Sequence, residues 1–415
     1  MSLDVWQFIP LMVAVAAVVR FAPLMPQRLR IPASVAVMLA FLCWAPFVLI
    51  GFQTLQLTRV AVWLVAAMGL NILTGYNGQI SLGHGALVAM GAYTAAILMD
   101  GTGQLAFVDS TPWPFWAAII AAGVVTACFG LLLGFPALRL SGPYLAIATL
   151  ALAISFPNVV RKYDGLTGGS QGILVSQPQP PSWLDSVLNR DQWLYFVTLI
   201  VAMLMLLLAW SILRGPLGRA FVAVRDNEVA AEALGVNIAQ TKIIAFTISA
   251  FFAGIAGGLY TQVFGFISPN AISLLQSINL LAVIVIGGLA SILGSVIGAA
   301  ALVFIPTDAP GLVGRIPGLS IDFLERSPGA IQGALVIVVI LMFPAGLAGL
   351  LQRLERLRPA AVLAGLKAAP AGVLVRADAA RGRLSSVWDV RPWRQDLSRG
   401  REHADADDED DTHPS

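Results

Sequence analysis

Trp193-Leu-Tyr-Phe-Val-Thr-Leu-Ile-Val-Ala-Met-Leu-Met-Leu-Leu-Leu-Ala-Trp-Ser-Ile-Leu213 is a run of 21 residues without a single charge. At about 1.5 Å per residue a helix of that length reaches about 32 Å, which matches the hydrocarbon core of a bilayer. The rest of the chain has the same character. Of its 415 residues 58% are hydrophobic and 12% charged, and the mean hydropathy is +0.81. Soluble domains carry about 25% charged residues. The charge is also unevenly placed: the 65 residues from Leu351 onward hold 11 basic and 11 acidic residues, leaving 14 and 12 in the first 350. So few charges do not solvate a water-soluble surface of that size. The composition specifies an integral membrane protein with a polar C-terminal tail.

Further apolar runs of membrane-spanning character fall at 8–22, 31–51, 57–73, 80–99, 113–135, 143–160, 243–266, 272–288, 290–306 and 329–351. Some are short or interrupted by glycine. The expected fold is an all-α, polytopic transmembrane bundle of about 8–11 segments, some re-entrant or broken. The N-terminal run lacks a basic region ahead of it, so it does not read as a cleavable signal. Eleven crossings place the N-terminus outside and the tail in the cytoplasm. The short inside loops then hold Arg28, Arg30, Arg139, Arg214, Arg219, Arg225 and Lys242, as the positive-inside rule requires. The longest outside loops, 161–192 and 307–328, are rich in Gly and Pro, and Gln177-Pro-Gln-Pro-Pro181 does not fit a helix.

Several functions are excluded at this level. A net charge of +2 spread over loops gives no basic face for nucleic acid. Cys43 and Cys128 lie in apolar stretches, so neither a disulfide framework nor a zinc cluster is indicated. Lys162, Lys242 and Lys367 are the only lysines, and none follows a glycine, so the chain has no Gly-Lys-Ser/Thr phosphate loop. All twelve acidic residues of the first 350 fall in loops or beside them. A proton-driven transporter keeps an ionisable relay near mid-membrane. Only His84 is placed for that role, and a lone histidine in a glycine-rich segment is ordinarily a packing and hydrogen-bonding residue. No acid–base pair, nucleophile or metal cluster supports a membrane enzyme, and no cofactor is expected.

Two glycine-rich stretches stand in the membrane part. The first is Asn71-Ile-Leu-Thr-Gly-Tyr-Asn-Gly-Gln-Ile-Ser-Leu-Gly-His-Gly85. Each glycine costs a helix about 1 kcal/mol relative to Ala, so the run predicts a helix break or close helix packing. Asn71, Thr74, Asn77, Gln79, Ser81 and His84 are candidates to hydrogen-bond opened backbone or a passing polar solute. The second is Ile286-Gly-Gly-Leu-Ala-Ser-Ile-Leu-Gly-Ser-Val-Ile-Gly298, with Gly294 and Gly298 at small-xxx-small spacing, as are Gly254 and Gly258. One interrupted stretch in each half is the pattern of a transport path.

The inside loop 214–242 is long, charged and patterned as a helix. Asp226 is the expected N-cap, Glu228 lies in the first turn, and Gly235 is the expected stop after a helix over 227–234. Glu228 and Glu232 share a face at i,i+4, a like-charge pair that disfavours an isolated helix. Arg219 and Arg225 flank it. A short helix with that handicap is best explained by a partner.

Three blocks resemble the permease subunits of bacterial branched-chain amino-acid ABC importers, of the LivM type. They are Leu70–Thr94 around the first glycine-rich stretch, Gly142–Ala153 with Leu166-Thr-Gly-Gly-Ser-Gln-Gly172, and Gly218–Gly235 continuing through Lys242 into Ala250–Tyr260. Ile286–Ser291 fits as well, so the resemblance runs from about 60 to 350. It implies that the loop carrying Arg219, Arg225, Glu228, Glu232 and Gly235 is a cytoplasmic coupling helix. It also implies two ATPase subunits, a second homologous permease subunit, an extracytoplasmic binding protein and a multi-pass place in the bacterial inner membrane. Tyr144 and Thr149 of the second block join the candidate path residues. On this reading 1–350 is the permease domain and 351–415 a disordered cytoplasmic tail ending in the acidic block Asp405–Asp411. Two departures stand out. Phe343-Pro-Ala-Gly-Leu-Ala-Gly349 lacks the basic residue common near the end of the last helix, and the tail beyond 359 matches nothing in the family. The uncharged interior suits a zwitterion such as Leu, Ile or Val. The alternatives are urea or a short-chain amide as cargo, or a self-sufficient secondary transporter for which 214–242 is dispensable.

Overall fold

In lipid each backbone N–H and C=O must find its partner within its own segment, so apolar runs become helices. A computed structural model of the protein describes residues 27–99, 113–137, 143–272 and 274–313, and there the expectation of an all-α membrane bundle is met. In chain order the elements are α1 (Gln27–Val48), α2 (Gly51–Leu70), a π-helical turn (Asn71–Tyr76), α3 (His84–Met99), α4 (Phe115–Ala137) and α5 (Pro143–Lys162). A single turn, α6 (Asp164–Thr167), leads to strand β1 (Ile173–Leu174). Then come α7 (Arg190–Arg214), α8 (Pro216–Asp226), α9 (Glu228–Ala233), α10 (Ile238–Phe264), strand β2 (Phe266–Ile267), α11 (Leu274–Gly287) and α12 (Ile292–Val313). The runs at 8–22 and 329–351 and the tail lie outside the described residues.

Five of these helices are long and apolar enough to cross a membrane, and α3, α11 and part of α1 and α12 are shorter apolar helices. Where each sits follows from what surrounds it. In the spanning windows of α2 (with its π turn) and α10, 72% of residues are buried, against 22% in α5 and α7. The first two are therefore the centre, and the last two present Ile147, Ile154, Ile200 and Leu204 outward to lipid. The run that opened the sequence reading is thus a peripheral helix.

Small residues hold the centre together. α10 packs on α4, α3 and α2. Gly91 of α3 faces the backbone of Gly254, and Gly257 faces the backbone of Val88 and Gly91, so α3 and α10 touch main chain to main chain. Gly254 and Gly258 turn toward Ala122 and Ile119 of α4. Phe252, Phe246 and Leu259, each fully buried, fill the space between.

The loop 161–192 is pinned rather than loose. β1 pairs antiparallel with β2 directly after α10, with Ile173 opposite Ile267 and Leu174 opposite Phe266. Gln177 adds a side-chain bond to Val263 O (2.8 Å), and 177–181 is non-helical as the prolines require. The second outside loop begins later than expected, since α12 runs on to Val313 through the residues read as the start of 307–328.

The inside loop departs from expectation in detail. It is two helices, not one. Pro216 starts α8, whose buried Gly218, Phe221 and Val224 lie at i, i+3 and i+6 and seat one face on the bundle. Asp226 closes that helix instead of capping the next. The N-cap of α9 is Asn227, whose side chain accepts from Ala230 N (3.0 Å). Asp226 is held back because its carboxylate pairs with Arg225 (2.9 Å). Gly235 follows α9 with φ +84, a left-handed conformation that glycine adopts without strain. Lys242 belongs to α10 and meets Glu228 at 2.8 Å, which offsets the repulsion between Glu228 and Glu232.

Candidate functional site

The first glycine-rich stretch opens α2. After Leu70 the helix widens into the π turn, Gly78 adopts φ +75, and regular helix resumes only at His84. A π turn leaves carbonyls poorly matched to intrahelical donors, and such turns recur at functional sites. Several backbone groups of the break meet side-chain partners. Gly75 O accepts from Arg225 Nη1 of α8 (3.0 Å). Gln79 O accepts from Thr74 Oγ1 (3.0 Å), Leu82 N donates to Thr149 Oγ1 of α5 (3.0 Å), and Gly85 N donates to Ser277 Oγ of α11 (3.0 Å).

Asn71 joins this break to the second one. Its Nδ2 donates to Ser291 O and to Ser295 Oγ, both at 2.9 Å, and its Oδ1 accepts from Ala290 N at 2.9 Å. Ala290 carries φ 55, left-handed for a residue with a side chain. Such a backbone costs about 1–3 kcal/mol and persists only where its surroundings hold it. Asn71, itself buried, is that support.

A second group of polar atoms in the break finds no partner. Both side-chain atoms of Asn77, Gln79 Oε1, Ser81 Oγ and His84 Nδ1 are buried without a hydrogen bond, and Ser249 Oγ on the facing α10 shares that state. His84 Nε2 donates to Ala66 O (3.0 Å), since a carbonyl only accepts, and so Nδ1 carries a free lone pair. An unmet buried polar group costs about 1–3 kcal/mol. Four residues within eight positions carry such groups.

Of the sequence-derived path residues, the structure gathers Asn71, Thr74, Asn77, Gln79, Ser81, His84 and Thr149 around one break. Tyr144 is two-thirds exposed on α5, and no hydrogen bond joins it to the group. The loop residues separate as well. Arg225 turns inward to the break, where its stem also lies against Gly78. Arg219, Glu228, Glu232 and Gly235 face outward. Glu228, Glu232, Asn237 and Lys242 border a groove of about 480 Å³.

Two features escaped the sequence reading. Val229 and Leu234 at the two ends of α9 are 78% and 84% exposed, an apolar pair on a charged helix. Arg59 lies inside α2, its guanidinium 4.9 Å above the Phe264 ring. Its sequence signal is a charge within a spanning helix.

Residues 53–344 match the sequence pattern of the family described as branched-chain amino acid transport system, permease component. The chain belongs to that family. The permease is 34% identical over 306 residues to the high-affinity branched-chain amino acid transport system permease protein LivM of Salmonella typhimurium, covering 68% of this chain and 67% of that one. It is 33% identical over 329 residues to LivM of Escherichia coli K12, covering 74% and 72%. BraD of Pseudomonas aeruginosa, a permease protein of the same kind of system, is 27% identical over 301 residues, 71% of this chain and 93% of its own. No solved structure matches the permease. The matched region takes in both glycine-rich stretches and the α8–α9 loop, and leaves the tail outside it.

Proposed function

We propose that the permease forms one half of the translocation path of an ATP-driven importer for branched-chain aliphatic amino acids in the bacterial inner membrane. Its partners are two ABC ATPase subunits, a second homologous permease subunit, an extracytoplasmic binding protein and the surrounding lipid. It carries no catalytic chemistry of its own. Residues 1–350 are its membrane domain and 351–415 a cytoplasmic tail. The observation that carries the reading is the bond from Arg225 Nη1 to Gly75 O, which ties the cytoplasmic loop to the opened helix.

The mechanism follows from that tie. The exposed ends of α9, Val229 and Leu234, give an ATPase subunit an apolar anchor, and Arg219, Glu228 and Glu232 supply the polar rim that fixes register. Closure of the ATPases displaces α8–α9. α8 is seated on the bundle by Phe221 and Val224, and Arg225 pulls on the one carbonyl of the π turn that it holds. A broken helix has two nearby arrangements and switches between them more easily than a continuous one. Around it Asn77, Gln79, Ser81 and His84 offer a zwitterion polar contacts without a fixed charge that would trap it.

A charge-assisted bond is worth about 1.5–3 kcal/mol. Arg225 is one-third exposed, and discounted for solvent the tie is worth about 1.4 kcal/mol, a factor of about ten. In the reconstituted complex Arg225→Ala should lower leucine uptake per ATP hydrolysed about tenfold. Unaltered stoichiometry in that variant would rule the coupling role out. A Glu232→Lys change should weaken co-purification of the ATPase subunits.

A further inference from the structure

At the opposite end of α2 and α10 from the Arg225 contact lies a cavity of about 290 Å³ between α2, α7, α10 and the strand-pinned loop. Its charged lining is Arg59, Arg190 and Asp191, and its apolar wall includes Leu55, Leu194 and Phe264. The volume is at the small end of ligand pockets, which run to about 300–1,000 Å³. That suits a solute of amino-acid size.

The charges are arranged without internal use. Among the described residues, no side chain of the three forms an ion pair or a hydrogen bond. Arg59 Nε is buried and unpartnered. The Arg59 side chain is steadied instead by its stack on Phe264, which is itself stacked on Tyr260 with centroids 4.2 Å apart. Asp191 sits in the first turn of α7, where a helix favours acid, and the Asn189–Gln192 capping box fixes that turn. An arginine in a spanning helix facing a protein-lined cavity is costly unless it serves a function. A guanidinium never deprotonates, so that function is anion recognition and not proton transfer.

We infer that this cavity binds a small aliphatic α-amino acid as its zwitterion. The carboxylate sits between Arg59 and Arg190, the ammonium meets Asp191, and the aliphatic side chain lies on Leu55, Leu194 and Phe264. The inference rests on the importer reading above and extends it. The solute would be recognised by charge at the outer cavity and passed to uncharged polar groups at the break. Two cations and one anion leave the lining net positive. An acid lacking the amine is therefore tolerated better than an amine lacking the acid.

The test uses the full transporter complex in lipid nanodiscs without its binding protein, with equilibrium binding of L-leucine, 4-methylpentanoate, isoamylamine and urea. Leucine should bind best, 4-methylpentanoate several-fold more weakly, and isoamylamine and urea at least tenfold more weakly. Arg59→Gln should weaken leucine and 4-methylpentanoate together by at least tenfold. Asp191→Asn should weaken leucine alone and so close the gap between the two. A misfolded variant loses both ligands in parallel, so parallel loss in Asp191→Asn, or loss in neither variant, overturns the proposal. Uptake by the wild-type and variant complexes, with the binding protein restored, separates the two readings. Leucine uptake with an unchanged KM in Arg59→Gln removes the site and leaves the importer. Leucine held at the cavity without leucine uptake removes the importer reading and leaves the site.

Discussion

In 71–85 the glycines open a helix, whereas in 286–298 they close two helices onto each other. Gly287 of α11 faces the backbone of Gly294, and Gly298 of α12 faces Val283 O, so this hairpin is packed main chain to main chain. Its polar groups are satisfied: Gly294 N donates to Ser291 Oγ (3.0 Å), and Ser295 Oγ receives Asn71 Nδ2. The first stretch likewise has four glycines, among more polar residues, and is in the opposite state, with Asn77, Gln79, Ser81 and His84 left partly unpaired. Glycine in a membrane therefore carries two meanings. Backbone from elsewhere comes close in both, Ala290 N at Gly75 and Thr149 O at Gly83 as well as in the hairpin, so which one applies depends on whether the polar side chains around the glycines find partners.

The paired groups of the hairpin and the unpaired groups of the break therefore respond to substitution differently. The largest effect belongs to the closed hairpin. Gly294→Leu puts a side chain where even a Cβ would come within 2.6 Å of Gly288 O, and should cost about 3 kcal/mol. Size-exclusion of detergent-solubilised protein should show no monodisperse peak. Asn71→Ala, at the joint between the stretches, strands Ala290 N, takes a donor away from Ser295 Oγ and Ser291 O, and releases the strained turn. A loss of about 2–3 kcal/mol and a clear fall in Tm are expected. Ser295→Ala removes the hydroxyl's two bonds, to Asn71 and to Ser291 O, while Asn71 keeps its bond to Ser291 O, and should cost about 1 kcal/mol in the same assay.

The smallest effect on stability, and the most informative, is in the open stretch. Ser81→Ala deletes a buried hydroxyl that has no partner, so Tm should hold or rise by up to about 1 kcal/mol equivalent while leucine uptake falls. A fall in Tm matching that of Ser295→Ala would erase the distinction between the stretches.

Much of this was legible in the chain. Loss of water forces 193–213 and its counterparts into helices, and Gly75 and Gly78 mark a place where α2 either breaks or packs closely, because helix propensity needs no neighbour. The cap of α9 was misread by one residue: Asp226 and Asn227 are equally good capping types, and only the Arg225 side chain beside Asp226 decides between them. Arg225 was grouped with the partner-facing charges, and its inward turn appears only once α8 lies beside the π turn. Tyr144 was grouped with the path on block membership alone, and its place on α5 leaves it at the surface.

The sequence by itself determined a membrane bundle, its breaks and the loop that asks for a partner, because hydropathy, helix propensity and charge act along the chain. Tertiary structure alone decided which glycine run is open and which is closed. It also set Asn71 against residues some 220 positions away and turned Arg59 toward a cavity beside Phe264. Those outcomes depend on which backbones approach one another, and distance along the chain carries no record of that.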